Sequence, residues 1–361
     1  MTISKYAPSL QNPAPPDLAD GWPVSAPTCL DMDAAVLHGI GPHFDAWKEA
    51  RVHAVVVARR GTLVYERYFV GEDWRWMQKL GTVAFNASVR HDIRSISKSV
   101  TSLMFGIARA RGWVGELDTP VIDCLPQYAD LRTPGWQSVT LAHLLTMSVG
   151  LDWNEKLAWD NPANNERGLD DAADPYRYVL ERPTATAPGR FFQYCGGAPT
   201  LLQGIMQTAS DKALDVIARE NLFEPLGIDD VEWIRFPNGD AKGFGGLRLR
   251  ARDLAKIGQL ILDRGSWNGR QVIPAEWIAE STAAHINGAD IFFYGYQWWL
   301  GRNLVDRREI TWVAGLGHGG QRLYIIPAFD LVVAVYAGSY SSTSLVGEIV
   351  LKNYVFPAIL R

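Results

Sequence analysis

The chain has 361 residues, of which 47% are hydrophobic and 20% are charged. These proportions are typical of a globular protein and exclude a fibrous or intrinsically disordered chain. The formal net charge of −4 gives no electrostatic reason to expect nucleic acid or an anionic membrane as a partner, so small substrates fit better.

The N-terminal segment is rich in proline and lacks the apolar run of a signal peptide. No later run is long enough and free enough of charge to cross a bilayer. We therefore expect a cytoplasmic protein that begins with a loosely structured leader over residues 1–35.

Alternating and β-branched residues predict strands near both ends of the chain. The segment 53–69 predicts a hairpin that turns at Arg60-Gly61, and residues 309–313, 321–326 and 331–336 predict further strands. Helical spacing of apolar residues predicts helices between and after them, at 96–110, 141–146, 199–209, 213–221, 251–263 and 345–360. The pattern favours an α/β domain over 36–90 and 240–361, with a mostly helical domain over 91–239 inserted and a ligand cleft between them.

A Ser-x-x-Lys sequence, Ser95-Ile96-Ser97-Lys98, stands at the start of the first long helix. The spacing puts Ser95 and Lys98 on one helix face. A serine hydroxyl needs a base to attack a carbonyl, and a lysine can serve if burial and nearby positive charge lower its pKa. The alternative is an N-cap serine followed by a lysine at a spacing that chance also produces.

Two further segments offer partners. Tyr194 lies in an aromatic, glycine-containing turn before a helix, where a phenol beside an ammonium could relay a proton, although a tyrosine packed at a domain boundary is the alternative. His318 lies in Gly-Leu-Gly-His-Gly-Gly (315–320), which fits a dinucleotide-binding pattern but is followed by a predicted strand instead of the required helix. His318 could instead face a cleft beside Gly319 and Gly320, or be a turn histidine without a partner.

The order of these residues resembles that of the serine β-lactamase-like superfamily, whose three motifs are Ser-x-x-Lys, Tyr-x-Asn and Lys-Thr-Gly. Residues 92–102, 143–153, 245–256 and 294–299 are similar to the class C branch, which includes 6-aminohexanoate-dimer hydrolases and carboxylesterases. The resemblance covers residues 50–360. It implies an α+β, β-lactamase/transpeptidase-like fold, in which helices flank an antiparallel sheet and a mostly helical domain is inserted.

The resemblance also implies roles. Ser95 would be the nucleophile, Lys98 its base or proton relay, and Tyr194 the group that protonates the leaving group. The residues implied for the oxyanion hole and the substrate-binding wall are Ser95, His318, Gly319, Gly320 and Gln321.

Two positions depart from the β-lactamase pattern. Gly196 stands where the second motif has asparagine, and His318 replaces the lysine of the third motif, so recognition of a β-lactam is weakened. We therefore expect a serine hydrolase that forms an acyl-enzyme on a small ester or linear amide, with esterase and amidase both open. Candidate pocket residues, for which simple packing is the alternative, are Gly196, Trp153, Trp159, Trp298 and Trp299.

A second hypothesis is a non-hydrolytic, penicillin-binding-like sensor protein. The three cysteines and seven histidines are scattered, and no His-Glu-x-x-His occurs. We therefore expect no disulfide framework, no metal site and no cofactor.

Overall fold

The computed structural model describes residues 13–341 and 344–359. Its strands are β1 (Val52–Arg59), β2 (Thr62–Tyr68), β3 (Val70–Arg75), β4 (Gln78–Ala84), β5 (His91–Asp92), β6 (Glu232–Trp233), β7 (Leu247–Leu249), β8 (Ser266–Trp267), β9 (Arg270–Gln271), β10 (Ile286–Asn287), β11 (Phe293–Tyr294), β12 (Trp299–Val305), β13 (Arg308–Gly317), β14 (Gln321–Ile326) and β15 (Leu331–Ala337).

The α-helices are α1 (Ala34–His38), α2 (Ile40–Ala46), α3 (Ile96–Ala110), α4 (Pro134–Ser138), α5 (Leu141–Leu145), α6 (Asn165–Asp170), α7 (Pro175–Leu180), α8 (Gly197–Ser210), α9 (Leu214–Ala218), α10 (Ala251–Leu262), α11 (Ala275–Ser281), α12 (Val346–Val350) and α13 (Phe356–Ala358). Turns of π-helix continue α9 and join α12 to α13, at Arg219–Phe223 and Leu351–Val355. Within the described ranges, no helix has the length and apolar character needed to span a membrane.

One antiparallel sheet unites strands from the two ends of the chain, in the order β10-β11-β12-β13-β14-β15-β1-β2. Val55 pairs with Val335 and Val57 pairs with Val333. Because β1 is buried on both faces, its side chains alternate between two cores, with Val56 in one and Val55 and Val57 in the other. The predicted α+β class and the predicted strands are therefore confirmed.

Helices α3 to α9 lie between β5 and β6 in the sequence, in the region predicted as the inserted helical domain. One continuous cluster of buried residues nevertheless connects Val100 and Leu103 of α3 with Val56 and Ala58 of the sheet. The central helix α3 therefore packs against both parts of the molecule.

The predicted leader is packed where the structure describes it. Residues 1–12 lie outside the described part, but Trp22 is buried, and the carbonyl oxygens of Pro16 and Asp20 accept hydrogen bonds of 2.8 Å from Arg252 and Lys256. Both cations are buried in α10 and need these acceptors. The segment after residue 12 is therefore held against α10, which differs from the expected loose structure.

The hairpin of β3 and β4 was not predicted from the sequence. Arg75 pairs with Gln78, so the turn is Trp76-Met77, and Trp76 has a left-handed φ of 54°. Two-residue turns of this kind usually contain asparagine or glycine, which are absent here. The sequence therefore lacked the local turn signal for a hairpin that carries part of the functional cavity.

Helix α10 packs closely on the sheet at Gly258. A Cβ atom at Gly258 would lie 2.5 Å from Val332 Cγ1 and 2.8 Å from Leu323 Cδ1. Both neighbours are fully buried, so they have little room to move.

We expect Gly258→Ala to lower the free energy of unfolding, because overpacking costs about 1–3 kcal/mol and outweighs the ~1 kcal/mol gain in helix propensity. Gly41→Ala in α2 is the matched control, since its Cβ would lie 3.5 Å from Arg67 Nε, at ordinary contact distance. Thermal unfolding followed by circular dichroism compares the two. Equal stability of Gly258→Ala and Gly41→Ala, which gain the same helix propensity, would contradict the close-packing argument.

Candidate active site

Ser95 is presented by a sharp turn at the start of α3. Its own backbone is already helical, whereas Arg94 before it has a left-handed φ of 51°, which costs a non-glycine residue roughly 1–3 kcal/mol. The Arg94 guanidinium donates to the Trp76 carbonyl oxygen at 2.7 Å and pairs with the Asp92 carboxylate at 3.1 Å. These contacts hold the strained turn and leave Ser95 half-buried at the helix start.

Lys98 lies one turn along α3 and is buried. Its Nζ donates to Ser95 Oγ at 3.0 Å and to the Phe244 carbonyl oxygen at 2.7 Å, and it lies 4.9 Å from the centre of the Tyr194 ring. The structure therefore brings together Ser95, Lys98 and Tyr194, although Tyr194 follows Ser95 by nearly 100 residues in the sequence.

To act as a base, Lys98 would need a pKa that burial and nearby positive charge lower. The structure does not meet this condition. Burial lowers the pKa of Lys98, but the Tyr194 phenol and the carboxylates of Glu166 and Glu155 outweigh burial, so the net change is upward. The pKa of Tyr194 is also raised, because burial outweighs the nearby Lys98 ammonium and a hydrogen bond with Ser95. In the resting protein Lys98 is therefore an ammonium and Tyr194 a neutral phenol.

Small hydroxyl side chains fix α3 between its neighbours. Ser97 Oγ donates to the Arg94 carbonyl oxygen at 2.7 Å, Ser99 Oγ to that of Gln297 at 2.7 Å, and Thr101 Oγ1 to that of Gly243 at 2.9 Å. All three side chains are buried, and each satisfies its donor in this way. The Ser/Thr-rich start of the helix is thus explained by positioning of the helix as well as by chemistry.

Tyr194 is placed by its neighbours before α8. Its ring stacks on Trp299, with centroids 5.7 Å apart, and the adjacent Gln193 Nε2 donates to the Trp153 carbonyl oxygen at 2.9 Å. Two residues later, the Gly196 N–H donates to Glu155 Oε2 at 2.8 Å. This network fixes both the phenol and the carboxylate.

A cavity of about 630 Å³ opens over Ser95. The sequence-predicted residues that line it are Ser95, Tyr194, His318, Trp159 and Trp299. Its described lining does not include the other predicted ones, which are Lys98, Trp153, Gly196, Trp298, Gly319, Gly320 and Gln321. Lys98 is buried beside Ser95, and Trp298 is fully buried.

Gly319 and Gly320 serve packing instead of leaving room for a substrate. Both have left-handed backbones, with φ of 86° and 97°. A Cβ at Gly319 would lie 2.5 Å from the Tyr340 ring, and one at Gly320 would lie 2.6 Å from Ser344 Oγ. Gln321 begins β14 with a buried side chain that donates to the Ala337 carbonyl oxygen at 2.6 Å. The glycine turn therefore shapes the wall that presents His318.

Two carboxylates in the cavity were not predicted. Glu155 Oε2 accepts from Trp153 Nε1 at 2.8 Å and lies 3.5 Å from where a Gly196 Cβ would be. It thus lies beside the position left open by the missing asparagine side chain. Glu166 follows the N-cap Asn164 of α6, and its pKa is raised to about 7 by burial first and then by repulsion from Glu155.

Positive charge in the cavity comes from Arg94. Its guanidinium lies 4.9 Å from the centre of the Trp76 ring and 4.7 Å from that of Tyr340, and all three residues line the cavity. His318 lies at the cavity mouth, where desolvation first and the charge of Arg94 second lower its pKa. His318 is therefore neutral near pH 7, and the nearby Arg94 guanidinium is already paired with the Asp92 carboxylate.

Another unpredicted part of the wall comes from the β3–β4 hairpin, through Trp74, Trp76 and Met77. No catalytic pattern in the sequence pointed to these residues or to Arg94. The nearest sequence signal for Glu155 was its position two residues after Trp153.

Comparisons with known proteins agree with this geometry. A model of the Beta-lactamase family matches residues 44–346. The 6-aminohexanoate-dimer hydrolase of Paenarthrobacter ureafaciens is 27% identical over 269 residues, which are 68% of this chain and 65% of that protein. The match with this curated relative thus spans slightly less than two thirds of its length.

Solved structures give the fold. A proposed 6-aminohexanoate-dimer hydrolase from Bacillus anthracis has a TM-score of 0.71 at 23% identity, over 87% of this chain and 80% of that one. EstCE1, a hydrolase with promiscuous acyltransferase activity, has a TM-score of 0.69 at 15% identity, over 91% of this chain and 98% of that one. The predicted β-lactamase/transpeptidase-like fold is confirmed. The family match extends over most of the length of the chain. The chain therefore belongs to the Beta-lactamase family, a family of hydrolases.

Proposed function

We propose that the protein is a serine hydrolase that forms an acyl-enzyme on Ser95 and acts on linear amides or esters that carry a positively charged end. The observation that carries the proposal is the 3.0 Å contact between Ser95 Oγ and Lys98 Nζ at a cavity lined by Glu155 and Glu166. A non-hydrolytic sensor is not favoured, because the relative from Paenarthrobacter ureafaciens and EstCE1 are both named as hydrolases.

In the proposed reaction, Lys98 first releases its proton to water in the cavity. Ser95 Oγ then attacks the carbonyl carbon and passes its proton to the neutral Lys98 amine. The N–H groups of Ser95 and Gln321 are the proposed donors to the resulting oxyanion. Tyr194 relays a proton to the leaving nitrogen or oxygen as the bond to the carbonyl carbon breaks. Water then attacks the acyl-enzyme carbonyl, which releases the acid and restores the Ser95 hydroxyl.

The charge pattern of the cavity supports the substrate class. The two carboxylates favour an ammonium group, whereas a β-lactam presents a carboxylate that meets neutral His318 where the family motif has lysine. The relative from Paenarthrobacter ureafaciens is named a 6-aminohexanoate-dimer hydrolase, and the amino group of 6-aminohexanoate is an ammonium at neutral pH. These points favour a linear amide over an ester as the natural substrate, with weak activity on β-lactams.

We expect p-nitrophenyl acetate to acetylate the wild type at Ser95 or to be turned over, and we expect neither in Ser95→Ala. Intact-protein mass spectrometry and nitrophenol release measure both outcomes. Ser95 makes no side-chain capping bond, but its Oγ accepts from the buried Lys98 ammonium, so the substitution should cost about 1–3 kcal/mol of stability. Ser99→Ala removes a buried hydroxyl from the same helix and should still acylate. An equal adduct on wild type and Ser95→Ala would contradict the assignment of the nucleophile.

Lys98→Arg is expected to lower kcat by roughly 10²- to 10⁴-fold, because arginine keeps the positive charge but does not lose its proton. Tyr194→Phe should lower kcat by a similar factor while keeping the stacked ring on Trp299. Steady-state kinetics on an amide and an ester separate the roles, since the poorer amide leaving group depends more on Tyr194. Near-native turnover by either variant would remove that residue from the proton path.

Glu166→Gln should raise KM about tenfold or more for a linear amide with an ammonium end, since a hydrogen bond to a charged group contributes about 1.5–3 kcal/mol. KM for the same amide ending in a methyl group should hardly change. Glu116→Gln, which removes an exposed carboxylate outside the cavity, is the control. Equal effects on both amides would argue against a cation-binding role.

The same substrate pair gives a pH test. With a pKa of about 7, Glu166 is neutral below that pH and a carboxylate above it, within a field set by Glu155, Lys98, Asp170 and Arg94. The preference of the wild type for the ammonium-bearing amide should therefore increase between pH 6 and pH 8. In Glu166→Gln this increase should be lost, and its persistence would assign the titration to another group.

A further inference from the structure

A buried cluster of two histidines and an aspartate lies beside the cavity. His53 is on β1, Asp73 on β3 and His91 on β5, and each is at most 1% exposed. Because the histidines are scattered along the chain, we expected no metal site, but the fold brings these residues together.

The distances fit coordination of one ion. His53 Nδ1 lies 2.8 Å from His91 Nε2, which lies 3.2 Å from Asp73 Oδ1, and Asp73 Oδ1 lies 3.9 Å from His53 Nδ1. Ligand atoms placed ~2.0 Å from Zn²⁺ in a tetrahedron are about 3.3 Å apart. The three separations lie on both sides of that value.

The orientation of His91 directs a lone pair to the centre of the cluster. His91 Nδ1 lies 2.9 Å from the Asp92 carbonyl oxygen, which can only accept a hydrogen bond. Nδ1 therefore carries the proton, as in many metal-ligating histidines. In a neutral ring, Nε2 is then an acceptor that faces the Asp73 carboxylate.

Packing holds both rings in place. Phe85 stacks on His53 at 4.3 Å between centroids, and Tyr336 stacks on His91 at 4.6 Å. A Cβ at Gly71 would lie 2.7 Å from His53 Nε2, and one at Gly338 would lie 2.6 Å from His53 Cε1. The two glycines thus form a slot that the His53 ring fills, so the ligand atoms are fixed before an ion binds.

A positive charge between these three atoms would satisfy the lone pairs that face one another. Among the described residues, buried Asp73 Oδ2 has no hydrogen-bond partner, and Asp73 Oδ1 faces the His91 lone pair. A hydrogen bond from His53 Nδ1 to His91 Nε2 would leave Asp73 Oδ1 with only the longer 3.4 Å contact from the Tyr340 hydroxyl, whereas a metal ion would accept a lone pair from all three atoms. We infer that His53 Nδ1, His91 Nε2 and Asp73 Oδ1 bind one divalent transition-metal ion of the Zn²⁺ type.

The site is structural in character. Catalytic zinc sites keep an open position for water or substrate, whereas these ligands are closed off from solvent. The Tyr340 hydroxyl, 3.4 Å from Asp73 Oδ1, offers a fourth oxygen, and Tyr340 lines the catalytic cavity. The ion would tie the β3–β4 hairpin to β1 and to β5, which leads within four residues to Ser95.

The test is metal analysis of full-length protein that is expressed in zinc-supplemented medium and purified without chelators or a metal-affinity step. We expect one zinc ion per chain in the wild type and in His285→Gln, which removes an exposed histidine elsewhere. Asp73→Asn, nearly the same in shape, should lose most of the zinc. A zinc-free wild type, or full zinc in a folded Asp73→Asn, would overturn the inference.

Cobalt gives a readout that needs no variant. Co²⁺ supplied in place of zinc during expression should give the visible absorption bands of a four-coordinate nitrogen and oxygen site in the wild type. If the folded protein lacks these bands, a proton lies between His91 and Asp73 and the proposed metal site is wrong. This test does not depend on whether Asp73→Asn folds.

Discussion

The buried ammonium of Lys98 is the constraint on which the rest of the site depends. A charge removed from water must find hydrogen-bond acceptors and compensating negative charge. Ser95 Oγ and the Phe244 carbonyl oxygen are the acceptors, and the Tyr194 ring lies over the same nitrogen. The carboxylates are those of Glu155, on the segment before α6, and of Glu166, within α6. The charge of Lys98 therefore interacts with parts of the chain that are separate in sequence.

The cavity differs from the family pattern in where its charges lie. At Gly196 the missing asparagine side chain leaves space beside which Glu155 lies, and this carboxylate is held by the Gly196 N–H and by Trp153. At His318 the lysine charge is absent, but Arg94 introduces a guanidinium nearby. Each of these two differences from the family motifs is thus accompanied by a charged side chain from another segment. A comparison of the motifs position by position does not show these side chains.

The sequence predicted the parts of the molecule that local pattern determines. Strands β1, β2, β13, β14 and β15 and helix α3 follow from alternation and helical spacing, whereas β10, β11 and β12 of the same sheet were not predicted. Ser95, Lys98 and Tyr194 follow from motif order. It did not predict the β3–β4 hairpin, whose Trp76-Met77 turn has none of the usual turn residues. Nor could it predict Glu166, Arg94 or the cluster around His53, because these depend on tertiary contacts between segments with no shared local signal. The tryptophans show the same limit, since Trp299 reaches the cavity while its neighbour Trp298, on the opposite side of the chain, is buried in the core.

The same carboxylates that stabilise the Lys98 ammonium also provide a way to remove its proton when a substrate binds. In the resting protein, Tyr194 first and then Glu166 and Glu155 raise the pKa of Lys98, so Lys98 in its proposed role as a base is unavailable to Ser95. A substrate ammonium paired with these carboxylates would compensate their charge and leave Lys98 with the opposing effect of burial, which lowers its pKa. Because such coupling is reciprocal, deprotonation of Lys98 would in turn strengthen binding of the cation. In the proposed function, the charged end of the substrate therefore contributes to activation of the nucleophile as well as to affinity, which gives a physical reason for a hydrolase with a protonated lysine at rest to act on cationic linear amides.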